Sequence, residues 1–167
     1  MSIQGCSKTY KTQIRFDGFG CEIKANAIFE EMEDKEKLSE NLSIQKLYIA
    51  QEQSGFVDSI IINKEYNNNT IALEKLAEIT IQKSAKRLQG FKADDPKILE
   101  IKCNEDSFGV YKQSFVFDSI TPDEKIYSSQ IFFIYNNYLY SISTATEDKR
   151  NNKNIQSSLK KITCEKK

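Results

Sequence analysis

Two periods alternate along this chain, and the points where one gives way to the other divide it into elements. Ile14-Arg15-Phe16 and Gly20-Cys21-Glu22-Ile23-Lys24 alternate apolar and polar positions around Asp17-Gly18. That dipeptide tolerates the positive φ angles of a two-residue hairpin turn. Leu47 to Glu52 and Phe56 to Asn63 repeat the pattern around Gln53-Ser54-Gly55. They predict a second hairpin whose return strand is rich in β-branched residues. Residues 26–44 carry no clear period, and the mixed charges from Glu30 to Lys37 read as a solvated segment.

The period changes after Asn67-Asn68-Asn69. Leu73, Leu76, Ala77, Thr80, Ile81, Ser84 and Leu88 fall on one face at helical spacing, which predicts a long amphipathic helix over 71–89. Thr70 is the expected N-cap, Glu74 suits the first turn, and Gly90 suits the C′ position. Past Pro96 the period of two returns in four segments, 98–103, 108–117, 125–135 and 138–146. The connections, among them Thr121-Pro122-Asp123-Glu124 and Asn136-Asn137, are short, so the four strands form an antiparallel meander. A last helix over 149–163 carries Ile155, Leu159 and Ile162 and is expected on the same sheet face as the first.

The predicted fold class is α+β: an antiparallel sheet of six to seven strands with a long central helix and a C-terminal helix packed on it. Residues 1–13 read as a flexible N-terminal tether, 14–164 as a single domain and 165–167 as a tail. At 167 residues the chain can bury a core without a metal or a bridge.

This order of elements, with Leu139-Tyr140-Ser141-Ile142-Ser143 and Ile155-Gln156-Ser157-Ser158 near its end, resembles the PsbP-like fold. That fold is shared by Ran-binding Mog proteins, photosystem PsbP subunits and small bacterial lipoproteins. The likeness spans about residues 14 to 164. The family commonly has a Pro and a Trp soon after the first strand. Here Ala25-Asn26-Ala27-Ile28-Phe29 stands there and the chain has no Trp, which assigns the core role to Phe29. The family hosts many functions, so the resemblance implies a fold and no activity.

Ile3-Gln4-Gly5-Cys6 resembles the tail of a bacterial lipobox, in which the cysteine thiol is acylated and the following polar residues act as a tether. The resemblance implies lipidation at Cys6 and a place in the cell envelope. The hydrophobic region that normally precedes such a motif is not in the chain, and an ordinary cytoplasmic start is the alternative. Cys21, Cys103 and Cys164 remain. Three buried or half-buried thiols are the first reading. Cys21 and Cys164 are the disulfide candidates, since they could meet if the chain ends lie together.

Lys plus Arg and Asp plus Glu both number 24, so the chain has no basic excess, and it shows no basic stripe. A nucleic-acid partner is therefore not expected. Lys160-Lys161 and Lys166-Lys167 suit the end of a helix or solvent. No segment approaches the ~20 apolar residues of a membrane span, so a membrane is expected only through an anchor at Cys6.

Candidate chemistry is sparse. The chain has no histidine, which removes the usual base for a Ser or Cys nucleophile and makes a zinc site improbable. Gly18-Phe19-Gly20 lacks the third glycine of a dinucleotide loop. Adjacent carboxylates such as Asp94-Asp95 and Glu147-Asp148 suit turns better than a glycosidase pair. No catalytic residue, metal or cofactor is expected. Tyr127, Phe132, Phe133, Tyr135, Tyr138 and Tyr140 crowd two neighbouring strands. Most belong to a core face, and Tyr127, Tyr135 and Tyr138 are the candidates for an exposed partner-binding surface. The functional expectation is a non-catalytic binding or accessory domain with a protein partner, held at the envelope as a lipoprotein. The alternative is a cytoplasmic partner-binding protein, such as an effector-loading chaperone or an immunity protein. An enzyme with an unread site is a third class.

Overall fold

Asp17 and Gly18 both take positive φ, 45° and 78°. This is the two-residue geometry whose twist matches paired strands, and it folds β1 (Tyr10–Phe16) onto β2 (Phe19–Ala25). Asn136 and Asn137 do the same at 48° and 63° between β9 (Lys125–Tyr135) and β10 (Tyr138–Thr146). The computed structural model describes residues 8–32, 43–51, 57–67, 71–103, 106–121 and 123–164. Its other elements are β3 (Phe29–Glu31), β4 (Ile44–Ala50), β5 (Ser59–Tyr66), α1 (Leu73–Arg87), β6 (Lys92–Ala93), β7 (Lys97–Cys103), β8 (Asp106–Asp118), α2 (Lys149–Leu159) and β11 (Thr163–Cys164).

The strands form one sheet in the order β1-β2-β11-β7-β8-β9-β10-β5-β4-β3, with β6 added to β8. Every pairing is antiparallel except β11 with β7. The sheet curls into a nearly closed barrel. Its two ends meet where the Phe29 amide donates to Thr12 Oγ1 at 3.1 Å. Strands therefore bury against strands. Phe19, fully buried, stacks on Phe16 at 5.5 Å and meets Phe133, Tyr135 and Tyr140 edge-on at 5.1–5.7 Å. Phe29 is buried in the same cluster.

This architecture corrects the expected fold class. Among the described residues the sheet has eleven strands, not six to seven, and no long central helix crosses it. Three strands, β3, β6 and β11, are two or three residues long. Segments that short carry no period, and only their neighbours in space define them. The helix over 73–87 forms where its spacing places it, but it buries only Ala77 and Ile81. They pack on the outer face of the sheet against Tyr111, Phe115 and Phe132. The interior is filled mainly by strand residues, with Ile155 and Leu159 of α2 at its seam, so nothing is left for a central helix to cover. Nor do the two helices share a face. Ile155 and Leu159 of α2 join Ile131, Phe133 and Tyr140 in the inner cluster, while Phe132 points outward to α1. The first strand begins at Tyr10, inside the segment read as a tether. The N-cap of α1 is Ala72, not Thr70. Gly90 is positive in φ (64°) but lies past the C-cap Leu88, where a Cβ would collide with the Asp118 carboxylate.

Candidate functional site

β11 covers β2 only at Gly20 and Phe19. The remaining edge of β2 needs partners for its amides, and α2 supplies them. The Lys24 amide donates to Ser158 Oγ at 3.0 Å, and the Asn26 amide donates to Asn151 Oδ1 at 2.9 Å. Asn151 Nδ2 in turn donates to Asp58 Oδ2 at 2.6 Å. At the start of the helix Asp148 Oδ1 accepts from the amides of Arg150 and Asn151 at 2.7 and 3.1 Å. Ile155 and Leu159 anchor the inner side. The helix is thus wedged into the seam of the barrel by a cap, by two side chains that substitute for a strand, and by apolar burial.

Its outer side is cationic. Lys149, Arg150, Lys153, Lys160 and Lys161 are all exposed, and no acidic residue occurs between 149 and 161. At ~100° per residue Lys149, Arg150, Lys153 and the C-cap Lys160 fall within an arc of ~100°, and Lys161 follows just past the helix. None forms an ion pair with a described residue. This corrects the reading that the chain shows no basic stripe. Lys149 and Arg150 also sit at the positive end of the helix dipole, where acidic residues are favoured.

A cleft opens on each side of the stripe. One, of about 600 Å³, lies between α2 and the β1–β2 hairpin. It presents Arg15, Lys24, Arg150 and Lys161 around one carboxylate, Glu22, which already pairs with Lys11 at 3.2 Å. The other, of about 360 Å³, lies between α2 and the β6–β8–β9 face and presents Lys92, Lys149 and Lys153 around Asp94. Beneath α2, Lys112 is 4% exposed and donates to Gln156 Oε1 at 3.2 Å. Burial, then the charges of Lys160 and Lys97, push its ammonium down to about 8. Asn152, buried at the wall of the smaller cleft, has an Oδ1 that accepts no hydrogen bond from a described residue. A third cavity, of about 660 Å³, is apolar and lies at the far end of α1 by Leu88, Phe117 and Ile120.

The residues singled out from the sequence are scattered over this structure. Cys6 lies outside the described residues. Cys164 is bonded to Cys103, with Cα atoms 4.7 Å apart, and Cys21 is free and buried. The proposed Cys21–Cys164 pair is therefore replaced. The reason is register: β11 sets Cys164 opposite Phe19 on one side, and Thr163 opposite Lys102 on the other. Burial pushes the Cys21 thiol up to about 12, which keeps it protonated and unreactive.

The three tyrosines do not form one surface. Tyr135 packs edge-on against Phe19 at 5.1 Å, with its hydroxyl 3.8 Å from Cys103 Sγ. Tyr138 pairs with Tyr66 at 5.5 Å and carries Lys64 Nζ over its ring at 4.3 Å. Tyr127 lies eight residues up the strand from Tyr135, roughly 26 Å away, and only it lines a cleft beside α2. The basic stripe, Lys112 and both clefts were missed. The signal for the stripe stands in the sequence: five cations and no acid between 149 and 161, at spacings that return to one helix face.

No protein-family model matches the chain, and no curated protein matches it in sequence.

Proposed function

We propose that this chain is a non-catalytic binding or accessory domain of the cell envelope, anchored through a lipid at Cys6 and taking a protein partner. The observation that carries this reading is the Cys103–Cys164 bridge. Disulfides persist in oxidising compartments and are rare in a reducing cytosol. The lipobox-like Ile3-Gln4-Gly5-Cys6 supports the same location. The likeness to PsbP-like proteins belongs to this reading too, supported by the order hairpin, helix, four-stranded meander, helix. Neither a cofactor nor a nucleic acid enters the proposal.

The bridge joins residues 61 apart in sequence. In the chain-entropy picture a loop of that length stabilises the folded state by up to about 4 kcal/mol. Thiols are trapped by alkylation in intact cells, with and without prior reduction, and acylation is followed in wild type and Cys6→Ser. The reading predicts that Cys103 and Cys164 react only after reduction and that lipid label depends on Cys6. Reduction is then expected to lower the stability of the purified domain by about 2–4 kcal/mol in urea. If both thiols react in cells without reductant, the envelope reading falls and the cytoplasmic chaperone or immunity-protein alternative replaces it.

A further inference from the structure

We infer that the α2 stripe and its two clefts bind an acidic segment of a protein partner. The inference rests on the binding-domain reading above and supplies the chemistry of the partner. Four exposed cations on one face of α2 and its C-cap, with Lys161 just beyond and Lys24 and Lys92 flanking them, share the two clefts with two described carboxylates, Glu22 and Asp94. Of these Glu22 is already paired with Lys11. Lys149 and Arg150 hold positions where the helix dipole opposes them, at a cost of some tenths of a kcal/mol each. Only the capping Asp148 carboxylate offsets them there, and a local rule broken to this extent points to use outside the fold.

The shape and chemistry of the surface select among anionic partners. From Lys149 to the C-cap Lys160 the stripe runs roughly 16 Å at 1.5 Å per residue. An extended peptide of about five or six residues covers that length. The walls of the larger cleft carry hydroxyl and amide groups, among them Gln13, Asn154 and Ser157. Those groups can serve a peptide main chain while the cations take its carboxylates. A single nucleic-acid strand would also want exposed rings for its bases. This face offers one partly exposed ring, Tyr127 in the smaller cleft, and the fully exposed Tyr66 lies on β5, away from it. A lipid surface would want apolar side chains on the stripe to insert, and no exposed large apolar residue lies between 149 and 161. The chain as a whole has no net charge. Attraction is therefore local, reaching about one screening length of ~8 Å at physiological salt. That suits a short acidic segment better than a long polyanion, which would also meet the acids elsewhere on the barrel.

The test is fluorescence anisotropy with a short labelled peptide of alternating Glu and Ser. Its Gln-for-Glu version, a labelled single-stranded DNA and phosphatidylglycerol vesicles serve as competitors of different class. Wild type is expected to bind the acidic peptide and not the Gln version, and to lose affinity as salt rises. Lys149→Glu/Lys153→Glu is expected to weaken binding at least tenfold, and Lys149→Gln/Lys153→Gln by less. Lys83→Glu/Lys86→Glu in α1 should bind as wild type does. The α2 charge reversal should melt no lower than wild type, since one of its changes puts an acid in the first turn. Unchanged binding in both α2 variants overturns the inference, as does DNA or vesicle binding that equals or exceeds peptide binding. The purified chain is used throughout. Failure of the peptide arm thus leaves the thiol and acylation results standing, and failure of those leaves the peptide result standing.

Discussion

The two helices flank the same sheet and are built on opposite plans. α1 follows the electrostatic rules for an isolated helix: Glu74 in its first turn, Lys86 and Arg87 in its last, and a Lys75–Glu78 pair at 3.3 Å. Yet it has no side-chain cap and buries only Ala77 and Ile81. α2 breaks the charge rules and is held far more firmly, with a capping aspartate, two buried asparagines, Ser158, Ile155 and Leu159. Adjacent residues of β8 point to opposite faces and register the contrast. Under α1, burial and then Glu78 and Glu74 push the Tyr111 hydroxyl up. Under α2, burial and then Lys160 and Lys97 push the Lys112 ammonium down. A helix stabilised by its own surface charges needs little anchoring. One that carries more positive charge than its capping aspartate offsets must be fixed by tertiary contacts.

The largest expected break in this comparison is in the anchors. Ile155→Ala should cost about 4 kcal/mol and Ile81→Ala about 2 kcal/mol, within the usual range for removing buried methylenes. Ile155 is fully buried in the inner cluster, whereas Ile81 is 8% exposed on the outer face. Urea unfolding of both variants checks the ranking, and equal costs would mean that α2 is no better fixed than α1. Next comes Lys112. Its folded value of about 8 lies below the ordinary 10.5. Between those values the unfolded chain holds a proton that the folded chain has released, so this group makes stability rise with pH from 8 to 10.5. Below pH 8 its full cost is present. Cys21 works in the opposite sense above its ordinary 9.0, so the clean measurement is a difference. Lys112→Met should be more stable than wild type by about 1–3 kcal/mol at pH 7, a gap that narrows as pH climbs toward 10.5. A gap that stays constant with pH would remove the charged state of Lys112 as its cause.

Long periodic segments were legible and short or contextual ones were not. β9 and β10 read directly from residues 125–135 and 138–146, because alternation over that length together with Asn136-Asn137 has one local solution. Ile155 and Leu159 showed that the last helix has an apolar side, but not which sheet face it meets. That depends on curvature of the sheet, which no single segment encodes. The same limit applies to the cysteines. Cys103 and Cys164 meet because a two-residue strand inserts between β2 and β7. The basic face was missed because its charges were summed over the chain. A net charge of zero conceals five cations gathered along one helix and its C-terminal turn.

The smallest effects are at the helix starts, and they test whether the cap is what lets α2 carry its cations. Ala72 contributes no side-chain cap to α1, so Ala72→Asp should stabilise by about 1 kcal/mol. Asp148→Ala should cost at least that, because Asp148 serves two roles. Its carboxylate accepts from the Arg150 and Asn151 amides, and its negative charge sits beside Lys149 and Arg150 at the positive end of the dipole. The second role predicts a coupling. In a double-mutant cycle, Asp148→Ala should cost about 0.5 kcal/mol less when Lys149 and Arg150 are already alanine, since the cations that needed the carboxylate are gone. A strictly additive cycle would mean that the aspartate acts only through the two amides. The first-turn cations would then be held by the inner anchors alone, and Ile155, not Asp148, would be the residue that permits the charged face.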